Sequence, residues 1–362
     1  SGNAASINFT LGLLTEDQCR QAVSTRDRNG MTPVHYAARS GDLESIRAII
    51  SIYPESQHLE IVCMRDIEER TVLHHVASSG NSGAIVYILG IVPQAERLQV
   101  VSIPDSNGRT AVHCAASSIN FDSVRDILGS LSESERTQVV SIAEPNEATL
   151  LHYAASSGSA ESIRYILTLY PESQHLQVMN TRDSNGMTPL HWAACSDNLE
   201  SIKAILAICP ASQYLASVCM QDTDGRSVVM CALSPGNNSE MITYILQLLT
   251  ESERLEVVVN KQDTNGMNPL HYAASFGNCD SIRRILALLP EFERLRVVMK
   301  TDASRRTVLH CAARLGHPES LKAILGVFSQ HLEHAACGAH DRLSSSGTDP
   351  QRFYAAAVTQ RD

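Results

Sequence analysis

Apolar residues recur along this chain at helical spacing, in blocks that return again and again. In ESIRAII (44–50), ESIRYIL (161–167), ESIKAIL (200–206), DSIRRIL (280–286) and ESLKAIL (319–325) they fall at i, i+3 and i+4, the spacing of one buried helical face. Between such blocks lies a second repeated stretch: TPVHYAA (32–38), TVLHHVA (71–77), TAVHCAA (110–116), TLLHYAA (149–155), TPLHWAA (188–194), SVVMCAL (227–233), NPLHYAA (268–274) and TVLHCAA (307–313). Its opening Thr is a good N-cap and Pro is tolerated in a first helical turn, so a helix starts here. A third stretch reads SESERTQVV (132–140), PESQHLQVM (171–179), TESERLEVV (250–258) and PEFERLRVV (290–298). Ser132 with Glu135, and Thr250 with Glu253, have capping-box spacing, which predicts a short third helix per unit.

The central His stands at 35, 74, 113, 152, 191, 271 and 310, with Met230 in the vacant slot. The steps are 39 residues five times running, then 41, then 39. A fixed period of this size means stacked repeats, each burying its apolar face only against its neighbours. Ahead of the His stretch comes a turn with Asp first and Gly fourth: Asp27 and Gly30, Asp105 and Gly108, Asp183 and Gly186, Asp222 and Gly225, Asp263 and Gly266. Glycine there accepts positive φ without a Cβ penalty.

Together, D-x-x-G followed by TPLHxAA resembles the signature of ankyrin repeats, over residues 25–329. The units are longer than the roughly 33 residues usual in that family. The resemblance implies an all-α solenoid of about eight repeats, here with an added short third helix. Residues 1–24 read as an N-terminal partial repeat, because FTLGLLTEDQCRQAV (9–23) aligns with YILQLLTESERLEVV (244–258). Terminal units need a polar outer face, and Glu16, Asp17 and Gln18 suit that role. Residues 330–362 read as a C-terminal cap and flexible tail, and SGNA (1–4) looks like a cloning remnant, so the native start is expected elsewhere.

Composition narrows function by exclusion. A net charge of −10 disfavours nucleic acid, whose binding rests on Lys and Arg neutralising phosphates. The cysteines follow the repeat (Cys114, Cys231 and Cys311 directly after the His slot), which reads as buried thiols in a reducing compartment. No C-x-x-C pair supports structural zinc, and no apolar run of 18 residues supports membrane insertion. The histidines lie one repeat apart, about 10 Å by helix-packing distance. That is too far for shared coordination at about 2 Å, so no metal, cofactor or catalytic residue is expected. The resemblance implies instead that each His bonds backbone groups of the neighbouring turn.

The resemblance places the partner on the concave face, built from the turns, or fingers, and the first helices. The slot just before the helix-capping Thr reads Met31, Arg70, Arg109, Ala148, Met187, Arg226, Met267 and Arg306, a row of interface-prone residue types. Phe276 and Leu315 add apolar bulk after serine pairs that line a smooth trough. Exposed substitutions usually shift stability by only about 0.5 kcal/mol. Arg109→Glu with Arg226→Glu is therefore expected to abolish binding and leave the melt unchanged. Trp192 is expected to pack between repeats, and the altered repeat around Met230, with Ser234 and the residues after it, is a candidate irregular loop.

The reading is a non-enzymatic protein-binding scaffold, monomer favoured and cytoplasmic. The regular unit and serine-rich tail also resemble ankyrin-repeat effectors of intracellular bacterial pathogens, which implies secretion into the host cytosol and a eukaryotic host protein as partner. The alternatives are the targeting domain of an enzyme whose catalytic part lies outside this chain, and an adaptor recruiting a second partner through its tail.

Overall fold

A computed structural model of the chain describes residues 15–234 and 239–329, and no β-strand occurs among the described residues. The expected loop at 235–238 and the tail at 330–362 lie outside them. The first described helix, Glu16–Ser24, carries a capping box between Thr15 and Gln18, as its alignment with a third helix anticipates. Then finger, first helix, second helix and third helix recur. In the fifth repeat the first two helices are Pro189–Cys195 and Leu199–Leu206. A 3-10 turn at Ala211–Gln213 then runs into Tyr214–Val218.

The predicted third helix is present. It is α-helical at Glu133–Val140, Glu172–Met179 and Glu291–Met299, and passes from α to π at Glu251–Leu255 and Glu256–Asn260. Both predicted capping boxes form. Its physical role lies in one long polar residue. Arg136 Nε donates to the carbonyls of Leu128 and Leu131 at 2.9 and 3.0 Å, and Arg254 Nε to Leu246 at 2.7 Å. Arg97 and Arg294 do the same at Val92 and Leu289, and His58 and His175 reach the carbonyls of Tyr53 and Tyr170. The last carbonyls of a helix have no partner within it, so the third helix caps the second.

The core is one continuous file of Ile, Leu, Val and Ala from all three helices, including Ile46, Ile85, Ile127, Ile163, Ile202 and Ile282. Caps tie neighbours across it. Asn81 caps its own second helix through its side-chain oxygen and donates its amide to the Gly41 carbonyl at 2.6 Å, where Gly41 ends the preceding first helix at φ 69°.

Four of the repeated histidines do what the family resemblance implies. The backbone N–H of Thr188 donates to His191 Nδ1 at 3.1 Å. Nδ1 is therefore the acceptor, and Nε2–H is left to donate to the Arg226 carbonyl of the next finger at 3.2 Å. His74, His152 and His271 make the same bond to Arg109, Met187 and Arg306 at 3.0–3.1 Å. Burial holds His113 and His152 neutral, their pKa pushed down to about 4. The sixth repeat lacks this device. Met230 is buried in its place, the Ser227 hydroxyl has no partner, and the first helix shrinks to Val228–Cys231.

Candidate partner-binding face

Each finger closes on itself, Asp183 N–H to Met187 O at 2.9 Å for example, and six of the eight donate onto the finger before them. Ile67, Ser106, Ser184, Thr223, Thr264 and Ala303 give their N–H to the carbonyls of Asn29, Glu68, Asn146, Asn185, Asp224 and Asn265 at 2.7–3.0 Å. The D-x-x-G pattern finds only some of these fingers. Those opening at Asp66, Glu144 and Asp302 escape it, because Glu69, Glu147 and Arg305 take positive φ where glycine stands elsewhere.

The opening carboxylate organises each finger from inside. Asp183 Oδ1 accepts the amides of Asn185 and Met187 at 2.9 and 2.8 Å, and the other aspartates repeat this. The second oxygen needs a further donor, since a buried charge left unpaired is costly. Two solutions divide the repeats, and only in the second repeat do both occur, His75 Nε2 joining Arg70 on Asp66 Oδ2 at 3.0 Å. In one, the slot arginine supplies it: Arg70, Arg109, Arg226 and Arg306 give Nε to Asp66, Asp105, Asp222 and Asp302 at 2.7–3.0 Å. In the other, the residue after the His supplies it: Tyr36, Tyr153, Trp192 and Tyr272 donate to Asp27, Glu144, Asp183 and Asp263 at 2.7–3.0 Å. Repeats with a slot Arg carry His75, Cys114, Cys231 or Cys311 after the His position, and repeats with Met or Ala carry Tyr or Trp. The pairing holds in every repeat.

The slot row thus has an internal function that the sequence reading did not contain. Arg70, Arg109, Arg226 and Arg306 keep about a third of their side chains exposed, over aspartate side chains at most 1% exposed. The expectation for Arg109→Glu with Arg226→Glu is corrected accordingly. Each Glu would stand beside a buried carboxylate stripped of its partner, at a cost of about 3–5 kcal/mol, so that variant tests folding and not a surface. Met31 is 3% exposed and offers a partner almost nothing, whereas Met187 and Met267 are half-buried. Phe276 and Leu315 are 40% and 51% exposed, on the last two repeats. Trp192 packs between repeats as expected, its ring 5.3 Å from Tyr153 and 5.5 Å from His152.

One junction departs from the rest. Between the third and fourth fingers the ladder bond cannot form, because Pro145 has no N–H to give Asn107. His113 Nε2 makes no bond to the slot carbonyl of the fourth finger and faces the Ile142 backbone instead. Glu144 replaces the usual Asp, and Asn146 Oδ1 takes over the Ala148 amide at 3.0 Å. Tyr153 holds one Glu144 oxygen at 2.7 Å, while the other is buried without a partner. Burial raises the Glu144 pKa, against the pull of Tyr153 and Arg109. An open groove of about 450 Å³ lies over these residues.

The stacked three-helix units, capped fingers and inter-repeat histidines narrow the family, and one comparison decides it. Models of ankyrin repeats match residues 126–214, 209–293 and 255–333 as three-copy arrays, and 29–62 as a single repeat. The chain belongs to the ankyrin-repeat family. No curated protein matches it significantly. Ankyrin repeats are protein-interaction modules. Among the described residues no three His, Cys, Asp or Glu converge as metal ligands, and no single helix is long and apolar enough to cross a membrane.

Proposed function

We propose that this ankyrin array is a non-enzymatic scaffold that binds a protein partner along its fingers and first helices. The observation that carries the reading is the rigidity of that face. All but one pair of neighbouring fingers are bonded, and four first helices are pinned to the next finger through a buried His, so a partner meets a preformed surface with little ordering cost. Met187, Met267, Phe276 and Leu315 supply apolar contact, and the exposed third of Arg70, Arg109, Arg226 and Arg306 supplies charge. In its more specific form the partner is a eukaryotic host protein and the chain a secreted effector in the host cytosol. The regular 39-residue unit and the serine-rich tail support that form.

The test is capture of partners from eukaryotic lysate, identified by mass spectrometry, with substitutions that spare the internal pairs. Ser117 and Ser196 are exposed in the trough, so Ser117→Arg with Ser196→Arg adds bulk while removing only the Ser117 bond to the His113 carbonyl and the Ser156–Ser196 contact, and leaves every finger carboxylate paired as before. One protein held by wild type, lost by this variant and partly lost by Phe276→Ser with Leu315→Ser is the expected result. Equal capture by all three would move the interface off this face.

A further inference from the structure

We propose that the groove between the third and fourth fingers takes a cationic side chain, Arg or Lys, of a polypeptide partner, with Glu144 as its counter-ion. This rests on the finger face being the binding surface and names the chemistry recognised at one point on it.

Three independent features meet there. Glu144 is 5% exposed, and one of its oxygens has no hydrogen-bond partner, whereas the aspartates of the other fingers have both oxygens engaged. A buried polar atom left open in this way calls for a missing donor. Pro145 deprives the Asn107 carbonyl of the ladder bond its counterparts receive, which leaves a second acceptor on the same wall. The charges also fail to cancel. Arg109 is spent on Asp105 at 2.9 Å, so Asp105, Arg109 and Glu144 sum to −1. Two unmatched acceptors and one unmatched negative charge exclude an anionic ligand and fit a group that only donates. Guanidinium, with five N–H donors and no acceptor, is the best match. The Tyr153 ring, also on the groove wall, adds an aromatic surface of the kind cations prefer.

Access is built in as well. Pro145, Asn146 and Glu147 form an exposed tip that has no ladder bond to the third finger and is held only from the other side, by Ser184 N–H on the Asn146 carbonyl at 2.7 Å, so it is the one internal finger untethered on its groove side. Gly108 lets it sit close. At φ 85° it has no side chain, and a Cβ there would stand 2.3 Å from Pro145 Cδ. A donor entering from the groove reaches the Glu144 carboxylate as the tip yields.

Trp192, the only tryptophan, reports on the site because its ring lies 5.3 Å from Tyr153. The experiment titrates the full chain with a blocked Gly-Arg repeat peptide and with the same peptide carrying citrulline, following Trp192 emission and calorimetric heat. Wild type should bind the Arg peptide saturably and the citrulline peptide at least about tenfold more weakly. Glu144→Gln should lose roughly tenfold or more in affinity for the Arg peptide, while Glu147→Gln, the same charge change on the exposed tip, stays near wild type. Gln at 144 removes a buried charge, so the variant folds, which its thermal melt confirms. Failure of wild type to bind the Arg peptide, affinity of Glu144→Gln within about twofold of wild type, or equal losses in both variants would overturn the proposal. Lysate capture through the trough that survives Glu144→Gln would leave the scaffold standing and remove only this site.

Discussion

At the scale of the residue, the finger carboxylate explains the chain's most regular variation. Arg109 and Cys114 stand where the first repeat has Met31 and Tyr36, and each pair contains one donor for the finger acid, which is buried at Asp105 and exposed at Asp27. Arg109→Met should therefore cost about 2–4 kcal/mol, because Asp105 is buried and loses its counter-ion. Adding Cys114→Tyr should recover at least half of that loss, with a coupling of about 1 kcal/mol or more. Urea unfolding of the four corners of the cycle measures it, and simple additivity would show that the two solutions are not interchangeable. Both halves of this pattern were legible as residue types. What the sequence could not show is that positions five apart, on a finger and on a helix, aim at one oxygen, so the arginines read as a surface row. A second residue-scale outcome concerns thiols. A hydrogen bond from Cys231 lowers the pKa of the exposed Cys195, whereas burial raises those of Cys63, Cys114, Cys219 and Cys311. Limiting iodoacetamide at neutral pH should label Cys195 ahead of Cys63, Cys114, Cys219 and Cys311, and peptide mapping that finds Cys63 or Cys311 ahead of it would contradict this.

At the scale of the element, helices were legible because periodicity and caps act locally: the N-cap Thr of six first helices and the boxes at Ser132 and Thr250 form as spaced. The fingers were legible only where glycine marks positive φ. Glu69, Glu147 and Arg305 hold the same conformation because the two ends of the finger are already bonded, which residue type alone does not reveal. The same logic isolates the sixth repeat, where a missing imidazole costs a cap and an inter-repeat bond together. Met230→His should restore both, to the Ser227 hydroxyl and to the Met267 carbonyl. Two new bonds at about 1 kcal/mol each, less the cost of burying an imidazole, predict a gain of roughly 1 kcal/mol. Denaturant midpoints check the sign, and a variant less stable than wild type would mean that the short helix Val228–Cys231 cannot orient the ring.

At the scale of the whole molecule, the histidines make the array sensitive to mild acid. His75, His113 and His152 have pKa values pushed from 6.5 to about 4, chiefly by burial, and His35, His74, His191 and His271 are lowered by the same cause. A lowered folded-state value means that the unfolded chain binds protons the folded chain refuses. These groups therefore add stability above pH 6.5 and lose it as pH falls toward 4. The loss amounts to about 3 kcal/mol for each group with a pKa near 4. Asp27, Asp66 and Asp302, also lowered, act in a separate window below their usual 3.8. Glu144, raised by burial, runs the other way, but it is a single group set against many. Because neighbours are the only source of packing in a solenoid, protonating one linking His loosens an interface on which the next repeat depends. Calorimetric melts should accordingly fall steeply between pH 6.5 and 4.5, with more than about two protons taken up on unfolding near pH 5. A melting temperature flat across that range would mean that the imidazoles titrate freely in the folded chain, and that the links from His35 through His271 are not what joins one repeat to the next.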